Sequence, residues 1–351
     1  MPSVPLPTSK SISPQAIPGD AATFSNTGGD RGKGIYDATR WVVVFKYSSV
    51  NIPAGVTVTF TNHPSRAPVV WVVQGAVTIN GNVSVNGKPG ISGTSSVFPI
   101  EPGPGGFRGA ASGPVGSGVG LGPGGGFGNA LYSSTYGNPQ ILPLIGGSGG
   151  AGVDVRSGAG GGGAILIAAP GTIQITGNIT AVSGTTFAYY GSGGAIKLIA
   201  NQVTGTGTLN SNSDGRLRIE ANSLSQTIAT TPSTIAVAPA ATPTIFQSNT
   251  SPTVRIASVD GVASPAEPTA PLVTSADIGI QKNTPVTIVL ETRNFATAGA
   301  IVAVRVVGKF GGFTSLNATL DAGGTTTLST WRVNATLVPG FTTLQARATG
   351  P

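Results

Sequence analysis

The sequence predicts an all-β protein, a parallel β-helix-like repeat domain followed by a small β-sandwich. Three observations predict it: short β-branched runs broken by glycine or proline, a gapless internal repeat, and a scarcity of charge. Charged residues are 9% of 351, against about a quarter in ordinary domains, so no helix would have a charged outer face. No window of eleven or more residues keeps the i, i+3, i+4, i+7 spacing with capping signals. With 39% hydrophobic residues, 54 glycines and 27 prolines, the chain is apolar enough to fold, and only its first twenty residues read as disordered.

Residues 1–34 form an extended N-terminal arm, rich in proline and punctuated by Pro18-Gly19 and Gly28-Gly29-Asp30. The repeat domain spans 35–225. It opens with Trp41–Phe45, Val56–Phe60, Val69–Val73 and Ala76–Ile79, runs of β-branched and aromatic residues about five long between tight turns. The strongest signal is internal: Val77–Val85 aligns without gaps to Ile173–Ala181. A second unit, Gly163–Ala168, returns as Gly194–Ala200 and again as Gly215–Ala221. Repeats of 20–30 residues predict stacked strands whose alternate side chains share a core that no single unit could bury.

A glycine-rich insertion occupies 90–163 and holds 26 of the 54 glycines. Within it, Gly116, Gly118, Gly120, Gly122, Gly124, Gly126 and Gly128 fall at every second position. An extended segment of that period has one face without side chains, and another backbone can approach it closely. The strip is therefore a candidate assembly or close-packing surface, set against the body or a neighbouring subunit, with a flexible low-complexity loop as the competing reading. After Asn222 the composition shifts, and 226–250 reads as a Pro/Ala/Thr linker. Residues 251–351 then carry about seven short strands, the spacing of an immunoglobulin-like β-sandwich.

Two stretches, GGGGAILIAAPGTIQITGNITAVSG and GSGGAIKLIANQVTGTGTLNSN, make Gly160–Asn222 resemble glycine-rich β-helix proteins of bacterial surfaces and phage tail spikes. The segment Pro252–Thr349 looks like the immunoglobulin-like modules appended to such proteins. The resemblance implies a virion fibre or spike, or a cell-surface adhesin, and some relatives cleave polysaccharide.

The residues themselves argue against chemistry. Polysaccharide cleavage takes two facing carboxylates, or an acid with a basic partner, on adjacent coils, yet the repeat domain offers Asp37, Glu101, Asp154, Asp214 and Glu220 with no close pair in sequence, Asp154 beside Glu101 being the best available. His63 is the single histidine and stands in a turn before Pro64. With no cysteine, there is neither a thiolate nucleophile nor a thiolate metal site. No P-loop or dinucleotide fingerprint is present, and the acid-poor glycine runs do not suit a calcium roll. No catalytic, metal or cofactor residues are therefore assigned.

The net charge of +7 and pI near 9.9 raise the question of a polyanionic partner. The basic residues are scattered singly, from Lys10 and Arg40 through Lys88, Arg156 and Lys197 to Arg255, so no nucleic-acid surface is expected. They read as strand-edge charges that oppose edge pairing. The N-terminus lacks the charged and apolar regions of a secretory signal, and no stretch of eighteen apolar residues could span a membrane. Among aromatics, Trp41 and Trp71 sit in apolar runs and read as core, Trp331 is a further candidate for sugar stacking, and Tyr189-Tyr190 in a loop is the better one. The reading is a non-catalytic structural or surface-binding protein: a self-assembling phage virion fibre, spike or decoration subunit, located on the virion. An extracellular bacterial adhesin or filament subunit is the alternative, and a polysaccharide depolymerase is third. The expected partners are further copies or other structural subunits, and a cell-surface glycan.

Overall fold

The computed structural model describes residues 4–5, 10–12 and 34–350, apart from 93–98, 112–117, 119, 126–138, 154, 186–189, 226, 241–242, 249, 266–276, 283, 309–312, 338 and 340–341. The described residues are strands, turns and extended chain, with no helix among them. None of them forms a helix long and apolar enough to cross a membrane.

The first part of the chain contributes β1 (Val4–Pro5), β2 (Lys10–Ile12), β3 (Ile35–Asp37), β4 (Val42–Tyr47), β5 (Val50–Ile52) and β6 (Thr57–Phe60). It continues with β7 (Val69–Val73), β8 (Val77–Ile79), β9 (Asn82–Ser84), β10 (Ala164–Ala168), β11 (Thr172–Ile175) and β12 (Asn178–Thr180). Then follow β13 (Ala195–Thr204), β14 (Thr208–Asn210), β15 (Arg216–Leu224), β16 (Ala229–Thr231) and β17 (Ile235–Val237). The groups β4–β6, β7–β9 and β10–β12 run in the same order, and each strand pairs in parallel with its counterpart in the next group. The long strand β13 pairs with both β10 and β11, and β15 continues the sheet beyond it.

The gapless repeat is this register. Val77 is opposite Ile173 and Ile79 opposite Ile175 between β8 and β11, while Val83 faces Ile179 between β9 and β12. The second repeated unit behaves alike, placing Ile165, Ile196 and Leu217 in one line. Because side chains alternate across a strand, these apolar positions enter one core with Phe45, Trp71, Leu198 and Leu209, and their polar neighbours face outward. Trp71 is fully buried. Trp41 lies against this core in the left-handed region (φ 51°), its indole Nε1 donating to Ser65 O at 3.0 Å.

The outer side of β4, β7, β10 and β13 is also apolar, and a second cluster covers it, with Ile141 and Leu144 from the glycine-rich insertion and Ile245 and Phe246 from further on. Within 226–250, expected to be a linker, residues 229–231, 235–237 and 245–246 are built into this part of the molecule. β16 pairs with β14 and β17 with β15, and Ile228 just before β16 is buried in the core, while Ile235 and Val237 of β17 stay exposed.

The C-terminal part forms two antiparallel sheets around their own core. One has the order β19-β18-β20-β24-β23 and the other β22-β21-β25, from β18 (Thr253–Val259), β19 (Val262–Ala263), β20 (Val286–Arg293), β21 (Ile301–Gly308), β22 (Phe313–Asn317), β23 (Thr319–Leu320), β24 (Leu328–Ala335) and β25 (Thr342–Thr349). Val286, Ile288, Leu290, Val302, Val304 and Trp331 fill the space between them. Trp331, a candidate for sugar contact, is buried and donates to Thr292 Oγ1 at 3.0 Å, so it serves the core.

Candidate functional site

The glycine-rich insertion is held by backbone hydrogen bonds whose partners recur every third residue. Ser157, Gly160 and Gly163 donate to the carbonyls of Ile91, Lys88 and Val85. Gly158 and Gly161 donate to Ala110 and Phe107, while the carbonyls of Ala159 and Gly162 accept from Gly150 and Gly147. Segment 157–163 therefore addresses three neighbours in rotation, which is the three-residue turn of a polyproline II helix. In that helix the backbone groups point outward and are ordinarily solvated. Here they are paired with other segments of the chain, as buried backbone must be.

Close approach explains the glycines. A Cβ added at Gly161 would collide with the backbone of Gly147, and one at Gly158 with that of Gly150. Segments 85–91, 100–110, 118–125, 146–152, 181–184 and 191–194 join the same network. The spacing of the bundle is three, not the two expected from the strip at 116–128. Within that strip, Gly118 lies against Ala110 and Ala111, Gly120 against Gly149 and Gly150, and Gly122 (φ 95°) against Ser148 and the Phe107 ring. Gly124 donates its N–H to Ser148 Oγ at 3.0 Å. The backbone these glycines approach is the chain's own, so the described part of the strip is an intramolecular packing surface. Gly116, Gly126 and Gly128 lie outside the described residues.

Segments 85–91 and 157–163 run antiparallel, and their ends far from β9 and β10 come together. Ile91 N–H donates to Ser157 Oγ at 2.7 Å, and Ser92 bridges Arg156. Ile91 and Val155 are exposed there, and Tyr190, at the start of the segment returning to Gly194, is exposed too. Three of the exposed large apolar side chains are thus carried by connections of the glycine bundle. Of the two tyrosines named for glycan contact, Tyr190 is exposed and Tyr189 lies outside the described residues.

Charged groups gather where the bundle meets the strands. Glu101 accepts from Arg66 Nε and Nη2 at 3.0 and 2.9 Å and from Arg108 Nε at 2.7 Å. Arg108 is 1% exposed, so this carboxylate is committed to neutralising a buried cation. Asp154, its suggested partner in catalysis, lies outside the described residues. Asp214 accepts from Gly193 N–H at 3.1 Å, and burial pushes its carboxyl above the ordinary range. His63 stacks on Tyr36 with ring centroids 4.2 Å apart. Its Nδ1 accepts from Ser65 N–H at 3.1 Å and meets Ser65 Oγ at 2.8 Å, and burial holds the ring below its usual pKa. That arrangement closes the turn His63–Arg66, whose backbone bond runs from Arg66 N–H to His63 O at 2.7 Å.

Sequence reasoning missed both buried cations, Arg108 and Lys197. Lys197 stands in β13 with 0% exposure, and its ammonium donates to Gln140 O at 3.1 Å and Thr244 O at 3.2 Å and pairs with Glu220 at 3.3 Å. It ties the two covering segments to the sheet. Burial lowers its pKa, against the opposing pull of Glu220. No group of three or more potential metal ligands is present among the described residues. No family model, curated protein or solved structure matches the chain.

Proposed function

We propose that the protein is a non-catalytic structural and surface-binding component, a subunit of a virion fibre, spike or decoration. In this reading the body is a parallel β-helix, the C-terminal part an immunoglobulin-like β-sandwich, and the glycine bundle a stiff platform at the side of the body. The carrying observation is the three-residue hydrogen-bond rotation of segment 157–163, which ties the insertion to several neighbouring segments through its backbone. An insertion held in this way presents its connections, with Ile91, Val155 and Tyr190, on a rigid base. Preorganised contacts lose less entropy on binding than mobile ones. The carboxylates support a structural role as well, since Glu101 and Glu220 each serve cations at close range.

The second reading is an extracellular bacterial adhesin, which uses the same architecture on a cell surface. Sedimentation velocity and negative-stain microscopy of the full chain test the first: defined oligomers or fibres are expected, and a strict monomer at all concentrations would overturn self-assembly. Reducing-end release from capsular polysaccharide, abolished by Asp214→Asn, would overturn the non-catalytic reading.

A further inference from the structure

The outward side of β6, β9, β12, β14 and β16 is a plane of hydroxyls and amides. Their inward residues Val58, Val83, Ile179 and Leu209 are in the core, so the alternation turns the flanking positions outward. The register sets Thr57, Asn82, Asn178, Thr208 and Ala229 in one row. Thr59, Ser84, Thr180, Asn210 and Thr231 form the second. None of the ten is buried and none is charged.

The plane is also ordered within itself. Asn178 Nδ2 donates to Asn82 Oδ1 at 2.7 Å, and Asn82 Nδ2 donates to Thr57 Oγ1 at 3.2 Å. Beside them Thr176 Oγ1 donates to Asn80 Oδ1 at 2.6 Å. Each amide has two N–H donors and spends one along the ladder. What is left is a repeating array of hydroxyls and amides, spaced about every 4.8 Å across the strands and about every 6.7 Å along them.

Size and charge select the occupant. Five strands two positions wide offer on the order of 300 Å², against about 800 Å² per partner in a stable protein interface. A protein or lipid partner would also find no apolar side chain in the rows beyond Ala229. An anionic or cationic polymer would give up its hydration to a surface with no countercharge. A polymer whose groups both donate and accept, and which repeats, fits on each count. We infer that this face binds a neutral polysaccharide, laid across the strands and read by hydrogen bonds from the Asn, Thr and Ser rows.

The inference rests on the surface-binding part of the proposed function and is independent of assembly. The full chain would be passed over immobilised dextran, mannan, β-1,3-glucan and galactan, with alginate and hyaluronan as anionic polymers, in about 0.3 M salt so that the net charge is screened. Retention by at least one neutral polymer and by neither anionic one is expected. Asn178→Lys with Thr180→Lys should weaken it tenfold or more. Asn51→Lys with Gln174→Lys, on outward positions of β5 and β11, should leave it within twofold. Circular dichroism and melting identify any variant that has not folded, and Thr57→Ala with Thr59→Ala then provides a second, uncharged test of the same rows. No retention by any neutral polymer, preference for the anionic ones, or equal loss in the two lysine pairs would overturn the site. Sedimentation of the unliganded parent tests assembly separately, so the two readings can fail independently.

Discussion

His63 and Lys197 show how single side chains bind distant parts of the chain together. His63 is held below its ordinary pKa by burial, so the unfolded chain takes up a proton before the folded one does. Stability is then full above about pH 6.5, the unfolded value, and is lost as pH falls through the lower folded value. His63→Gln should flatten the melting temperature between pH 7 and 5, measured by differential scanning calorimetry. At the other end of the sheet, Glu220 compensates both Lys197 at 3.3 Å and Arg218 at 2.7 Å. Glu220→Ala strands the buried ammonium and should cost about 3–5 kcal/mol in denaturant unfolding. Lys197→Met should cost less, because Glu220 keeps Arg218. The sequence reads Lys197 as a solvated strand-edge charge, yet it stands in β13, which is paired on both sides. Only the cover from residues 140 and 244 buries it.

Among the elements, strands and glycine segments are stabilised differently. β11 contributes Ile173 and Ile175, both fully buried, and Ile173→Ala should cost about 2–5 kcal/mol from lost burial and the cavity left behind. Segment 157–163 has little side chain to bury, and its stability lies in backbone pairing at a separation that excludes a Cβ. Gly161→Ala pushes a methyl into Gly147 and should lower stability by about 1–3 kcal/mol through overpacking. Gly171 has nothing within 4 Å of its would-be Cβ, and Gly171→Ala should be neutral or slightly stabilising. Equal effects at the two positions, read from urea midpoints, would mean that the bundle is not close-packed. Its period was present in the sequence, as Gly146-Gly147-Ser148-Gly149-Gly150-Ala151-Gly152, and was obscured by the two-residue strip that follows Gly116.

At the scale of the whole molecule, the C-terminal sheets enclose their own core of Val286, Ile288, Leu290, Val302, Val304 and Trp331. Residues 251–351 expressed alone should therefore melt in one cooperative transition, followed by calorimetry. A soluble fragment without such a transition would show that the rest of the chain completes it. A contact does join the two parts, since Gln345 Nε2 on β25 donates to the carbonyl of Gly122. Gln345→Ala should leave the fragment unchanged and shift only the full chain.

The sequence by itself determined the all-β character and the register of the body. The gapless repeat from Val77 to Val85 and from Ile173 to Ala181 carries its own alignment, because a shift of one residue would turn every apolar side chain outward. It did not place Trp331 in a core, since the alternation around that residue left it a candidate for surface contact until the two C-terminal sheets packed over it. Tertiary structure alone decided which segments the glycines face, since a backbone that pairs in three directions carries no side-chain pattern naming its neighbours. It likewise decided that β16 and β17, within the expected linker, pair with β14 and β15, and that Thr57, Asn82, Asn178 and Thr208 stand in one row. Residues separated by a long insertion become adjacent only when parallel strands stack, and spacing along the chain does not report that distance.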